Sequence, residues 1–299
     1  MMTSAYVLSQ IVNGLILGSM YALIAIGFSM IYGIVRLINF AHGDIFTLGA
    51  FTTLASVAIL NLPFPAALVV VVITGALFGM LIERIAFRPM RGAPQVTGFI
   101  ASLAVAIIIE NLAVMTISAQ PRTFLVPDYL NQLVASGAVS IRMIDLVIVG
   151  LAIVLMVALV LFVRFTKVGV AMRATAENYD VARLMGINID RMIMLAFAIG
   201  SGLAAISGLM WGSKYGQISP FMGLLPGLKA FVAAVIGGVG SIPGAVLGGY
   251  VLGLSEVLFV GLLPPEYSGY RNAFVFGALI VVLLVLPNGL LGRSTETRA

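Results

Sequence analysis

The sequence predicts an all-α polytopic membrane bundle of about eight or nine crossings, some of them broken or re-entrant. Three observations predict it. Of 299 residues, 61% are hydrophobic and only 9% charged, and the mean hydropathy is +1.16. A soluble domain carries about 25% charged residues, so too few charges remain to cover a water-facing surface. Apolar runs of the length that crosses a hydrocarbon layer, about 20 residues, recur along the chain. The apolar stretches within them, such as Leu146–Val163 and Phe274–Leu286, are continuous. A membrane β-barrel would instead alternate over roughly ten-residue segments.

In chain order the spans fall at about 6–34, 42–61, 66–86, 96–119, 144–163, 191–211, 227–261 and 272–291. The first is long enough to tilt or bend. No Lys or Arg precedes Arg36, whereas a secretory signal opens on a basic region, so the first run reads as a retained span. The seventh is too long for one simple helix. It is interrupted by Gly237-Gly238-Val239-Gly240-Ser241-Ile242-Pro243-Gly244, which makes it two passes or a pair of half-helices. The longest polar segment, about 164–190, is too short for a soluble domain, so residues 1–299 read as a single membrane domain.

Basic residues orient the spans. Arg84, Arg88 and Arg91 share one short loop. Arg164, Lys167, Arg173, Arg183 and Arg191 lie in the longest polar segment, and Arg293 and Arg298 in the tail. With Arg36 on the same side, that side holds eleven of the 16 basic residues and is expected to be cytoplasmic. Arg122, Arg142, Lys214, Lys229 and Arg271 are the remainder. The N-terminus then starts outside. A cytoplasmic C-terminus requires an odd number of crossings, which favours splitting 227–261 in two.

Small residues recur at spacing four: Gly14, Gly18 and Ala22; Gly200, Ala204, Gly208 and Gly212; Ala245, Gly249 and Gly253. Such rows let helix backbones approach closely in lipid, where packing drives association.

Several chemistries are excluded. With no cysteine and one histidine, no disulfide, thiolate nucleophile or common zinc site can form. The chain has no Gly-Lys-Ser/Thr phosphate loop, so any ATP must bind a different subunit. The net charge of +5 is scattered between apolar spans, so no nucleic-acid surface is predicted. No catalytic constellation emerges.

Four features could carry function. Asn39-Phe40-Ala41-His42-Gly43-Asp44 joins two apolar stretches. It reads as an unwound segment beside a substrate path, as a proton relay, or as an interfacial turn capped by Asn39 and Asp44. Gly237, Gly238 and Gly240 interrupt the C-terminal half much as Asn39, His42 and Asp44 interrupt the N-terminal half, and paired interruptions point to a transport site. Glu110, Lys229 and Glu256 are charges within or near spans, where a lone charge is costly; Lys229 and Glu256 could pair across the interrupted span. Last, Arg173–Ile187 reads as one short amphipathic helix. Val181, Leu184 and Met185 fall on one side, Glu177, Asp180 and Arg183 on another, and Gly186 ends it. It could dock in a partner's groove or lie on the membrane surface.

The stretches Asn13-Gly14 through Gly27 and Ile38–Gly43 resemble the opening of the LivH-type permeases, the inner-membrane subunits of bacterial ABC importers for branched-chain amino acids. The resemblance continues through Ile82-Glu83-Arg84, Arg88-Pro89, Ala176-Glu177, Leu184–Asn188, Gly227–Phe231, Gly237–Ala245 and Pro287–Gly292. It spans essentially the whole chain in order. It implies a path shared with a second, homologous permease subunit, two cytoplasmic ATPases that use ATP, and a periplasmic binding protein. It implies that Glu177, Asp180, Ala182, Arg183, Leu184, Gly186 and Ile187 form the coupling region for the ATPase. It carries nothing over to Glu110. A permease of the same type for urea, short amides or another small solute, and an ion-coupled secondary transporter acting alone, are the rival readings.

Overall fold

The computed structural model describes residues 4–124, 126–135 and 139–292. Arg293 and Arg298, counted above toward the cytoplasmic side, lie outside them. The helices are α1 (Ser4–Val35), α2 (His42–Ala58), α3 (Phe64–Ile82, continued by a π turn at Glu83–Phe87), α4 (Gln95–Thr116), α5 (Asp128–Asn131) and α6 (Met143–Phe165). They continue as α7 (Lys167–Glu177), α8 (Tyr179–Leu184), α9 (Ile189–Tyr215), α10 (Leu224–Gly237), α11 (Ile242–Leu262) and α12 (Arg271–Val285). Two small antiparallel pairs complete the described elements: β1 (Arg122–Thr123) with β4 (Gln217–Ile218), and β2 (Leu133–Ala135) with β3 (Ile141–Arg142).

Among the described residues, seven helical stretches are long and apolar enough to span a bilayer: α1, Phe64–Phe87, Val96–Thr116, α6, α9, α11 and Glu266–Val285. Two shorter helices accompany them, α2 with 17 residues and the apolar α10 with 14. The long seventh run of the sequence is thus split. Gly238 breaks it at a φ of +107°, which only glycine adopts without strain, and Ser241 then caps α11 by accepting from the Gly244 N–H.

Two ends of the bundle can be told apart by their contacts. At one end the Tyr179 hydroxyl donates to the Ile34 carbonyl, Arg88 and Arg91 pair with Asp190, and Gly240 N–H donates to Ser29 Oγ at 2.9 Å. Leu290 and Leu291 N–H donate to the Ile236 and Gly237 carbonyls there as well. This end gathers Arg36, the Arg84–Arg91 loop and the basic stretch around α7 and α8. At the other end Tyr6 donates to the Gly261 carbonyl, Lys214 pairs with Asp145 at 2.6 Å and Arg142 donates to the Lys214 carbonyl.

The core is built around α1, which is buried on nearly all sides from Gly14 to Ile31 and packs against α11, α9, α10 and α6. The small-residue rows explain its contact with α11. A Cβ added at Gly249 would stand 2.5 Å from Ala22 Cα, and one at Gly253 2.4 Å from Gly18 Cα. The first and third rows therefore face each other, backbone against backbone. The second row does the same elsewhere: Gly200 meets Gly27, and Gly208 meets the Phe46 carbonyl of α2.

Candidate functional site

The two short helices meet inside the bundle. After α1 the chain unwinds at 36–41, with Arg36 at a φ of +56°, and returns along α1 until His42 Nε2 lies 3.2 Å from the Ile24 carbonyl oxygen. There α2 begins. A Cβ on Gly223 would fall 2.0 Å from the Gly43 carbonyl oxygen, and one on Gly227 2.8 Å from Gly43 Cα. The start of α10 is thus pressed on the start of α2. The backbone between α1 and α2 is unwound at 36–41, and α2 starts after Ala41 without a side-chain cap. Asn39, His42, Asp44 and Thr47 are all buried. Asn39 Nδ2 and Oδ1, His42 Nδ1, Asp44 Oδ1 and Thr47 Oγ1 find no hydrogen-bond partner among the described residues. Each such group costs about 1–3 kcal/mol, so this concentration of them is not a stability device. Glu110 of α4 is half-buried. Aromatic rings surround the segment: Phe28 stands edge-on to His42 at 6.2 Å and to Phe231 at 5.4 Å, and Phe40 edge-on to Phe99 at 5.0 Å.

The interruption at Gly237–Gly244 has a different character. A Cβ on Gly237 would meet the Gly244 carbonyl at 1.9 Å, one on Gly238 the Gly292 nitrogen at 2.4 Å, and one on Gly240 lies 3.4 Å from Gly33 Cα. Gly237, Gly238 and Gly240 thus form a close-packed turn at the basic end.

Lys229 and Glu256 do pair across the interrupted span. Nζ donates to Glu256 Oε1 at 2.6 Å, both side chains being almost wholly buried. The carboxylate also accepts from the Tyr21 hydroxyl at 3.0 Å and lies 3.2 Å from Arg271 Nε. Tyr21 and Arg271 were not singled out from the sequence. Tyr21 reads as one more apolar residue of a long span, and Arg271 as a flanking basic residue. Beside this cluster, toward the end opposite α8, lies a cavity of about 300 Å³ whose walls include Trp211, Tyr215, Glu256 and Arg271. None of Asn39, His42, Asp44, Gly237, Gly238 or Gly240 lines it.

The segment Arg173–Ile187 is not one helix. Asn178 takes an extended conformation, φ −155° and ψ 120°, and breaks it into α7 and α8. Its side-chain oxygen accepts from the Asp180 and Val181 N–H groups, satisfying donors that the first turn of α8 leaves open. Gly186, at φ +79°, ends the unit. Leu184 and Met185 are 87% and 78% exposed, and Glu177, Asp180 and Arg183 are exposed too. Ala182 is the inward exception at 2%, and Ile187, half-buried, donates its N–H to the Ala182 carbonyl. Ala182 therefore seats α8 rather than presenting a surface.

A bundle that buries unpaired polar groups at the meeting of two short helices, and holds a short helix with bare apolar tips clear of one end, is built as a membrane transport subunit. The chain belongs to the family described as branched-chain amino acid transport system / permease component, whose profile matches residues 10–284. It is 40% identical over 301 residues to the high-affinity branched-chain amino acid transport system permease protein LivH of Escherichia coli K12, covering 96% of each chain. It is 38% identical over 297 residues to the corresponding permease protein BraD of Pseudomonas aeruginosa, again covering 96% of each. Among solved structures, a chain of PsaBC from Streptococcus pneumoniae in complex with Fab superposes with a TM-score of 0.49 at 14% identity, covering 92% of this chain and 91% of that one.

Proposed function

We propose that this chain forms half of the translocation path of an ATP-driven importer for branched-chain or similar amino acids in the bacterial inner membrane. The observation that carries the proposal is the end-to-end similarity to two permeases named for that substrate class. In this reading a homologous permease supplies the other half, two cytoplasmic ATPases bind and hydrolyse ATP, and a periplasmic protein delivers the amino acid. The end that gathers Arg36, Arg88, Arg91 and the α7–α8 segment faces the cytoplasm, on the basic-residue rule, and the N-terminus is periplasmic.

The exposed Leu184 and Met185 of α8 supply the apolar anchors that a groove on the ATPase would hold, with Glu177, Asp180, Arg183, Gly186 and Ile187 shaping the contact. The Tyr179 hydroxyl, bonded to the Ile34 carbonyl, links α8 directly to the end of α1. Motion of α8 is thereby delivered to the most buried helix of the bundle. ATP reorients the permease pair only by favouring one of its two states. The solute passes the meeting of α2 and α10, where Asn39, His42 and Asp44 supply polar groups and Phe28, Phe40 and Phe231 supply apolar walls.

The test is uptake by the purified chain reconstituted with its companion subunits in proteoliposomes. ATP-dependent uptake of labelled leucine, isoleucine or valine is expected. Uptake by this chain alone without ATP would reject the importer. Uptake of urea or short amides in place of amino acids would reject the substrate.

A further inference from the structure

The cavity beside Glu256 has a chemistry of its own. Its volume, about 300 Å³, is at the lower limit of ligand pockets and suits one small solute. Its wall carries Glu256 and Arg271, and Lys229, which does not line it, pairs with the same carboxylate, so the cluster at this wall holds an excess of one positive charge. The two cations are not equivalent. Lys229 is buried and committed to Glu256 at 2.6 Å. Arg271 keeps half its side chain exposed and touches Glu256 only through Nε, at 3.2 Å. A guanidinium placed in this way can turn to a second carboxylate and hold it through two parallel hydrogen bonds. Trp211 and Tyr215, ring centroids 4.5 Å apart, line the same cavity, and aromatic faces attract an ammonium group. Leu17 and Met222 complete the apolar part of the wall, and methionine adapts to differently branched side chains.

We propose that this cavity is a transit site for a zwitterionic aliphatic α-amino acid: Arg271 takes its carboxylate, Glu256 with the Trp211 and Tyr215 rings takes its ammonium, and Leu17 and Met222 take its side chain. This rests on the amino-acid importer reading above and names the place where that solute first enters the chain. The position fits: the cavity lies at the end opposite α8, where a delivered solute arrives. Its floor leads inward, because Trp211 stands edge-on to Phe46 of α2 at 5.7 Å and lies 6.4 Å from Tyr21 of α1.

The test uses the complete reconstituted importer and a leucine analogue with a photoreactive diazirine in its side chain. After irradiation, peptide mass spectrometry is expected to find adducts at Leu17, Trp211, Tyr215 or Met222. L-leucine should suppress them. Neither 3-methylbutylamine nor 4-methylpentanoate, each lacking one charged end, should do so at the same concentration. Arg271→Gln is expected to abolish the labelling and lower ATP-driven leucine uptake about ten-fold, the scale of one lost charge-assisted contact, while co-purification with the ATPases is unchanged. Arg271→Lys should restore part of the uptake. Met222→Trp, which fills the cavity without altering a charge, should lower uptake as well and guards against misfolding of the arginine variant. Adducts confined to other segments, or full uptake by both Arg271→Gln and Met222→Trp, would overturn the proposal while wild-type leucine uptake leaves the importer reading standing. A wild-type complex that carries no amino acid would overturn both.

Discussion

Removing Glu256 is expected to destabilise the chain more than removing Lys229, and removing both is expected to restore most of the loss. The structure supplies the reason. Glu256→Leu leaves the Lys229 ammonium, 3% exposed, with no paired anion among the described residues. An uncompensated buried charge of this kind costs about 3–5 kcal/mol. Lys229→Met leaves the Glu256 carboxylate with the Tyr21 hydroxyl at 3.0 Å and Arg271 Nε at 3.2 Å. That loss is nearer the about 1.5–3 kcal/mol of one hydrogen bond to a charged group. The double variant buries two apolar side chains of similar length, so it should stand at least about 2 kcal/mol above Glu256→Leu alone. The chain offers its own probe: Trp211 is the sole tryptophan, and its ring lies 6.4 Å from that of Tyr21. Its fluorescence during thermal or denaturant unfolding in detergent therefore reports the neighbourhood of the pair. Strictly additive losses, with the double variant the least stable of the three, would refute the reasoning.

Three further outcomes are expected. Gly253→Leu should prevent the close approach of α11 to α1, since even a Cβ there stands 2.4 Å from Gly18 Cα; a loss of at least about 1–3 kcal/mol should appear as a lowered melting temperature and yield. Asn178→Ala removes both cap bonds at the start of α8, which should cost about 1 kcal/mol locally; amide exchange over Tyr179–Leu184 should quicken while that of α9 does not. Leu184→Asp, at a position 87% exposed, should shift stability by less than about 0.5 kcal/mol yet reduce co-purification with the ATPases, and undiminished co-purification would count against docking through α8.

The sequence revealed most where one physical rule dominated. Composition alone defined the solvent, and glycine at spacing four marked helices that pack closely, though which rows face each other, α1 against α11, emerged only in the fold. The Lys229–Glu256 pair was legible because a charge inside an apolar run must find a partner. The break at Asn178 was missed because the apolar pattern of Val181, Leu184 and Met185 lies wholly after it and carries no sign of where the helix begins. The cap at Asn178 is a local side-chain bond that periodicity does not register. Gly237–Gly244 looked like the counterpart of Asn39–Asp44, but the two interruptions differ in depth. The partner of α2 is the start of α10, thirteen residues or so upstream of the glycines. Trp211, Tyr215 and Arg271 escaped notice because the first two close α9 and the third opens α12, and only the folded chain gathers them.

The glycine contact between α1 and α11 has one more consequence. Side chains between helices can tilt or change rotamer and so take up small displacements continuously. Two backbones touching through Gly18, Ala22, Gly249 and Gly253 have no such layer to deform. The surface of each helix there is notched, with one notch every four residues, or about 6 Å along the axis. Sliding by less than a notch drives backbone onto side chain, so this seam resists gradual drift and tolerates only whole steps. Reorientation of the bundle is therefore expected to carry α1 and α11 together as one strut, with the give taken up at the ends of α2 and α10.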